Sequence, residues 1–510
     1  MAQGDPGTAV GRRLRPEWVF ALVAAGVVMS NLDTFVVNVA LPQIDLHFHQ
    51  TSLGPVSWVL DAYAVIFAAV LVPAGNLADR YGARPIYLTG IAIFSAGSLA
   101  CSLAPGVWWL VGFRVAQAVG AALLVPASLG LLLAAAPPDK RLLYVRGWTA
   151  LSALGAALGP ALGGLLTQAS WRWVFLINVP IGAAVLTAGP GMLPRPAAKD
   201  APARIDATGA VLLSAGIGAV ALAVVESPTW GWSSGGVIGC LGGGLVVLAG
   251  FAVRSARHPS PVLPVALLRI PGFAPASLCN LLFAVPFAAM LLSIVLWAEQ
   301  VWHWSALATG FAVAPGPLMV PAFALLVGPA LLTRVGPGLV AAAGSVIFAA
   351  GIVWWIAAMH TRANYLHMLP GMLVTGVGVG LTLPTLIAAA VASLPPTSFS
   401  TGSAVVTMAR QIGSVLGVAV LVAILDTTRH TRNAVAVFDH GWWFTAATAG
   451  LAAIASLTLT RKPSPSPPPR RSAPPEPSRP MTRARVRRIR WARLDSNQGP
   501  TDYESAALTN

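Results

Sequence analysis

Charge is what this chain has least of. Only 10% of its 510 residues are Asp, Glu, Lys or Arg, against 56% hydrophobic, and the mean hydropathy is +0.73. An average soluble domain is about a quarter charged, so there is too little charge here to cover a water-facing surface. A large soluble enzyme, a disordered chain and a nucleic-acid binder are excluded, despite a formal net charge of +15. Lysine is almost missing. Lys140, Lys199 and Lys462 are the whole complement and none follows a glycine, so the chain has no phosphate-binding P-loop and cannot itself drive transport with ATP. Cysteine is as sparse: Cys101, Cys240 and Cys279 lie in apolar runs with no CxxC or pairing pattern. They read as small apolar fillers rather than a disulfide or metal framework.

What the chain does have is apolar runs. A bilayer core needs about 20 apolar residues per helix, and fourteen such spans are predicted: 18–41, 55–78, 84–104, 107–135, 147–168, 173–193, 208–226, 236–254, 273–298, 307–330, 337–359, 367–391, 402–425 and 442–460. The first follows Arg12, Arg13 and Arg15 but is too long for a cleavable signal peptide and contains Asp33. Connections on the side of the N-terminus carry fifteen Lys/Arg, Arg146 among them, and those on the other side only Arg172, Arg362, Arg429 and Arg432. Basic residues mark the cytoplasmic side, so both termini are expected there. Tryptophans near the predicted outer ends, from Trp58, Trp108 and Trp109 through Trp171, Trp297 and Trp355 to Trp442 and Trp443, read as anchors in the headgroup zone. Residues 1–16 form a cytoplasmic N-terminus and 194–271 a linker region holding two of the spans. Residues 461–510, with 11 Lys/Arg, 4 Asp/Glu and the text PSPSPPPRRSAPPEPSRP, have no apolar face and read as a disordered tail.

Polar residues within or beside the spans are few and grouped. Between the second and third spans runs Gly75-Asn-Leu-Ala-Asp79-Arg80-Tyr-Gly82-Ala-Arg84. Its glycines allow a tight turn, and Asp79, Arg80 and Arg84 can pair with charges or helix ends across a cytoplasmic gate. The string resembles the loop signature of the major facilitator superfamily, with Ala83 where that family often has a basic residue. Thr333-Arg334-Val-Gly336 looks like a degenerate second copy, as two related halves would produce. In the fourth span, Leu110-Val-Gly-Phe-Arg114-Val-Ala-Gln117-Ala-Val-Gly120 resembles a further motif of the superfamily, with Ala118 replacing a glycine. An arginine within a span costs from about 3 to more than 10 kcal/mol. Arg114 therefore needs a wet cavity or a carboxylate, unless it snorkels to the outer boundary. Asp33 and Asp61 lie at comparable depth, so the three can converge. Asp33 then serves either as the main proton-coupling residue or only as the counter-charge of Arg114.

The fifth span carries Gly155, Gly159, Pro160, Gly163 and Gly164, a small-residue stripe that lets a neighbouring helix approach closely, with a proline that bends it. This string resembles the antiporter signature of the superfamily. Trp171-Arg172-Trp173-Val-Phe-Leu-Ile-Asn178-Val-Pro180 after it, and Ala409-Arg410-Gln411-Ile-Gly413 later, are similar to the fourteen-helix drug–proton antiporter family over about residues 17–460. The resemblance implies an all-α integral membrane fold: two six-helix bundles, 17–193 and 272–460, plus two inserted helices. It implies a non-enzymatic secondary transporter in the plasma membrane that exports hydrophobic, cationic drugs in exchange for protons by alternating access. An exporter of an endogenous metabolite or self-made antibiotic is the alternative; a membrane-embedded enzyme or a receptor is more distant. Candidate substrate contacts are Asp33, Asn38, Gln117, Glu226 and Glu299, while Arg410 reads as a packing or gating residue. No cofactor is expected beyond the proton gradient. No metal is expected either, His47 and His49 being loop residues. The expected partners are a small hydrophobic substrate, protons and the bilayer, with the chain a monomer from a bacterial source.

Overall fold

The computed structural model describes residues 16–48, 54–137, 139–194, 206–427 and 434–460. Among the described residues there are helices and no strand. The first bundle comprises α1 (Pro16–Phe48), α2 (Gly54–Tyr81), α3 (Ala83–Ser102), α4 (Val107–Ala135), α5 (Arg141–Ala169), the single turn α6 (Trp173–Leu176) and α7 (Asn178–Met192). The inserted pair is α8 (Ala207–Trp230) and α9 (Gly235–Arg257), followed by the short α10 (Val265–Leu268). The second bundle comprises α11 (Phe273–Leu296), α12 (Ala306–Val313), α13 (Pro315–Ala322), α14 (Gly328–Ala358), α15 (Tyr365–Ala392), α16 (Phe399–Thr427) and α17 (Ala434–Ser456). Leu307–Ala358, a continuous apolar stretch of 52 residues, is two crossings that break at Gly336, whose φ of 81° suits glycine. Gly82, at φ 97°, makes the matching turn between α2 and α3. Among the described residues, with α5 included and Leu307–Ala358 taken as two, the crossings number fourteen.

Helix pairing repeats between the halves. Gly90 of α3 lies against the backbone of Gly120 and Leu124 on α4, and Gly344 of α14 against Gly378 and Leu381 on α15. In each case a side chain would hold the helices apart. The bundles meet where α5 packs on α12, α13 and α15, and where α16 packs on α2 and α4. The inserted pair flanks this seam: α8 touches α2 and α16, whereas α9 packs on α8 and exposes Ile238, Leu245, Val246 and Val253, as a lipid-facing helix does. The face where α1 begins is the near face, and the opposite one the far face.

Two expectations need correction. Trp171, Trp297, Trp355 and Trp442 are buried; Trp297 and Trp442 pack at 5.0 Å between ring centroids, with Trp355 6.2 Å from Trp442. These rings fill the core of the bundles, and only residues such as Trp108, Trp109 and Trp443 are exposed as anchors. Arg146, counted as a connecting-loop residue, lies inside α5 with 1% of its surface exposed. Residues 461–510 and most of the N-terminal segment lie outside the described residues.

Near the near face, Asp206 caps α8 by accepting from the Gly209 N–H at 2.9 Å and from Arg254 Nε and Nη2 of α9 at 2.9 and 2.7 Å. Burial raises the carboxyl's pKa. The Arg254 and Gly209 hydrogen bonds, with the Arg254 and His258 charges, outweigh that and hold it below its ordinary range. The connector between α9 and α10 is tied to α2, since Asn76 Nδ2 donates to the Val262 carbonyl at 2.9 Å and Arg80 to Ser260.

Candidate functional site

A dense polar cluster lies inside the first bundle and draws on five helices. Arg114 and Gln117, one turn apart on α4, share a face. Arg114 Nη1 donates to Asp33 Oδ2 of α1 at 2.5 Å and to Gln117 Oε1 at 2.8 Å, while its Nε donates to the Val59 carbonyl of α2 at 3.1 Å. Gln117 Nε2 donates to Asp33 Oδ1 at 2.8 Å and to Ser98 Oγ of α3 at 3.0 Å. Asn178 of α7 donates to the same two oxygens, each at 2.9 Å. The Tyr63 ring lies 4.1 Å from the guanidinium carbon. Asp33, Ser98, Gln117 and Asn178 are fully buried, and Arg114 is 1% exposed, so Arg114 does not snorkel.

Each side chain that bonds Asp33 does so through an N–H. The arrangement is a closed, internally neutral ion pair. All its partners come from α1, α2, α3, α4 and α7, within one bundle. Asp33 and Gln117, also expected to touch substrate, have their polar atoms engaged here.

Asp61 does not join this cluster. On α2 the Arg114-facing positions are 59 and 63, and a residue midway between them points to the opposite side of a helix at 100° per residue. Asp61 is half-buried there, bonded to Ser57 and within electrostatic reach of Glu226 on α8. Glu226 is buried, Glu299 half-buried in a π-helical turn, and Asn38 exposed on α1. The structure does not bring these three together with Asp33.

The gating loop reaches the second bundle at the start of α16. Asp79 accepts from the backbone N–H of Ser400 at 3.0 Å and of Thr401 at 2.7 Å, at the start of α16. A carboxylate there satisfies orphan donors and complements the helix dipole. A Cβ on Gly75 would come within 2.7 Å of the Ser400 carbonyl, so this glycine sets the approach of α2 to α16. Arg80 reaches the connector instead, and Arg84 the Pro190 carbonyl of its own bundle.

The α5 stripe seals α1. A Cβ on Gly155 or Gly163 would approach the Val28 or Val36 carbonyl at 3.0 and 3.1 Å, and one on Gly159 would collide with Phe35. Gly164 points the other way, against Leu307 of α12. Pro160 has helical backbone, but its side chain lies outside the description. His47 ends α1 and contacts Arg172 at 3.3 Å; His49 lies outside the described residues. Sequence reasoning passed over Asn178, Ser98 and Tyr63. Their signal was a polar side chain within an apolar run, the one that singled out Asp33. The Ser400 and Thr401 contribution is backbone and leaves no such signal.

Comparison with known proteins adds to this geometry. The sequence model of the Major Facilitator Superfamily matches residues 23–266 and 276–496. The methylenomycin A resistance protein of Streptomyces coelicolor is 32% identical over 454 residues, covering 86% of this chain and 91% of the relative. The multidrug resistance protein Stp of Mycobacterium tuberculosis is 34% identical, over 78% of this chain and 74% of the relative. The cephamycin export protein CmcT of Amycolatopsis lactamdurans is 33% identical, over 84% and 88%. The human organic anion transporter MFSD10 superposes with a TM-score of 0.64 over 86% of this chain and 99% of that one, at 15% identity, a likeness of fold alone.

Proposed function

The chain belongs to the Major Facilitator Superfamily, and on that premise we propose that it exports hydrophobic drugs or antibiotics in exchange for protons by alternating access. It is a multi-pass membrane transporter and not an enzyme. The near face is the cytoplasmic one, from the bias of Lys and Arg in the connections, and the working unit is a monomer in the cell membrane. The observation that carries proton coupling is the Asp33–Arg114 pair, closed on itself inside a helical bundle. Placing a proton on Asp33 discharges the carboxylate and leaves three donors facing a poorer acceptor, so protonation and opening of the cluster favour one another. Two protonation states therefore correspond to two arrangements of the first bundle. The Asp79 contact to α16 holds one of them shut at the cytoplasmic side. Export against a gradient then draws on the proton gradient and needs no other cofactor.

A cationic cargo presumed an Asp33 free to attract it. In this arrangement Arg114 neutralises Asp33, so the charge of the cargo has to be argued from other residues. The exchange reading is tested with the full chain in proteoliposomes under an imposed pH gradient. Adding a transported compound from a panel of neutral and charged lipophilic antibiotics is expected to evoke proton counterflow. Transport that proceeds at the same rate and to the same level with no pH gradient and no proton movement overturns it.

A further inference from the structure

Two arginines in the transmembrane body have no partner among the described residues. Arg146 of α5 is 1% exposed, and its Nε, Nη1 and Nη2 all lack a hydrogen bond. It lies at the seam of the bundles, since a Cβ on Gly328 of α14 would stand 3.3 Å from its Nη1. Arg410 of α16 likewise meets no charged or hydrogen-bonding group. From the near-face starts of their helices they lie about 8 and about 17 Å deep at 1.5 Å per residue.

Arg410 also stands out on its own helix face. Positions 403, 406, 410, 413, 417 and 421 share one face of α16. Ser403 bonds the Pro126 carbonyl of α4, Val406 accepts from Asn280 of α11, Gly413 and Gly417 lie against Leu281 and Val285, and Leu421 is fully buried. Five of the six are buried and Arg410 alone is partly accessible. On a stripe that otherwise packs on α4 and α11, Arg410 therefore keeps accessible surface where its neighbours have none.

Among the described residues, no acidic group acts on Arg146 or Arg410. Asp33 is neutralised by Arg114, and Asp79 caps α16. Asp61, Glu226, Glu299 and Asp439 stand toward the far-face ends of their helices. An unpaired buried guanidinium is costly, and it persists where a ligand supplies the missing charge.

We propose that the cargo is an organic anion, whose acidic group is received by Arg146 and Arg410 on the seam-facing sides of α5 and α16. This rests on the exporter reading and names its substrate class. Cargo entering from the cytoplasmic side meets Arg146 first and Arg410 deeper.

The test uses the full chain in proteoliposomes with an imposed pH gradient and two xanthene dyes of similar size and opposite charge, fluorescein and rhodamine 123. The unmodified chain is expected to move fluorescein faster than rhodamine 123 by about tenfold or more, the worth of one charge-assisted hydrogen bond. Arg146→Gln and Arg410→Gln are each expected to raise the KM for fluorescein by a similar factor, and Arg146→Lys and Arg410→Lys to restore most of it. Thermal unfolding separates a structural role, because removing an unpaired buried charge should leave stability unchanged or raise it. Stability lost in step with transport in both the Gln and the Lys forms overturns the proposal. Movement of rhodamine 123 without fluorescein overturns the anionic assignment and leaves the exporter standing; movement of neither dye overturns both. Liposomes of phosphatidylcholine with and without phosphatidylglycerol separate a cargo anion from a lipid headgroup. An arginine effect seen only with phosphatidylglycerol assigns the partner to lipid and overturns the cargo assignment.

Discussion

Asp33→Asn changes the shape of the buried cluster least and its electrostatics most. Asp33 receives Arg114 Nη1 at 2.5 Å, Gln117 Nε2 at 2.8 Å and Asn178 Nδ2 at 2.9 Å. An asparagine offers one oxygen and one NH2 in place of two oxygens, so at least one of these donors faces an N–H, and Arg114 keeps its charge with no counter-charge at 1% exposure. Removing one member of a buried pair costs about 3–5 kcal/mol. We expect a loss of that size in reversible unfolding in mixed micelles. Asp33→Asn combined with Arg114→Gln should recover about 2 kcal/mol of it, because no lone charge is left, and the double-mutant cycle reads that coupling directly. In proteoliposomes the single variant should lose pH-gradient-driven accumulation while exchange down a substrate gradient persists. Additive energies in the cycle, or full gradient-driven accumulation by Asp33→Asn, would refute the claim that this pair carries the proton.

Other outcomes follow from the same geometry. Asp79→Asn removes a charge from two hydrogen bonds to the start of α16; losing about 2 kcal/mol there should shift the population toward an open near face by more than tenfold, read as a longer distance between spin labels on the near ends of α2 and α16. Gly159→Val drives a side chain into Phe35 and should cost about 1–3 kcal/mol in the same unfolding assay, whereas Gly112→Ala, which meets nothing within 4 Å, should be neutral. The Asp206 carboxyl is held below its ordinary pKa, so its stabilising effect is complete above the usual carboxylate range of about 4 and fades as pH falls through the lower folded value. The stability gap between the unmodified chain and Asp206→Asn should therefore close in strong acid and stay constant from neutral pH upward.

Hydropathy alone determined the membrane class and the spans, because a bilayer core demands about 20 apolar residues per crossing whatever their neighbours. Motif spacing determined the family resemblance, and the cost of charge in hydrocarbon singled out Asp33 and Arg114, which the fold joins. Only tertiary structure decided the rest. Asp61 stays out of the Arg114 cluster and within electrostatic reach of Glu226, Asn178 completes the cluster from a helix distant in sequence, Trp297 and Trp442 fill a core, and Arg146 lies buried at the seam. A helix that is apolar all round has no amphipathic stripe to tell its lipid face from its protein face. Its polar residues can be found by reading along the chain, but which of them meet depends on how the helices are rotated and packed.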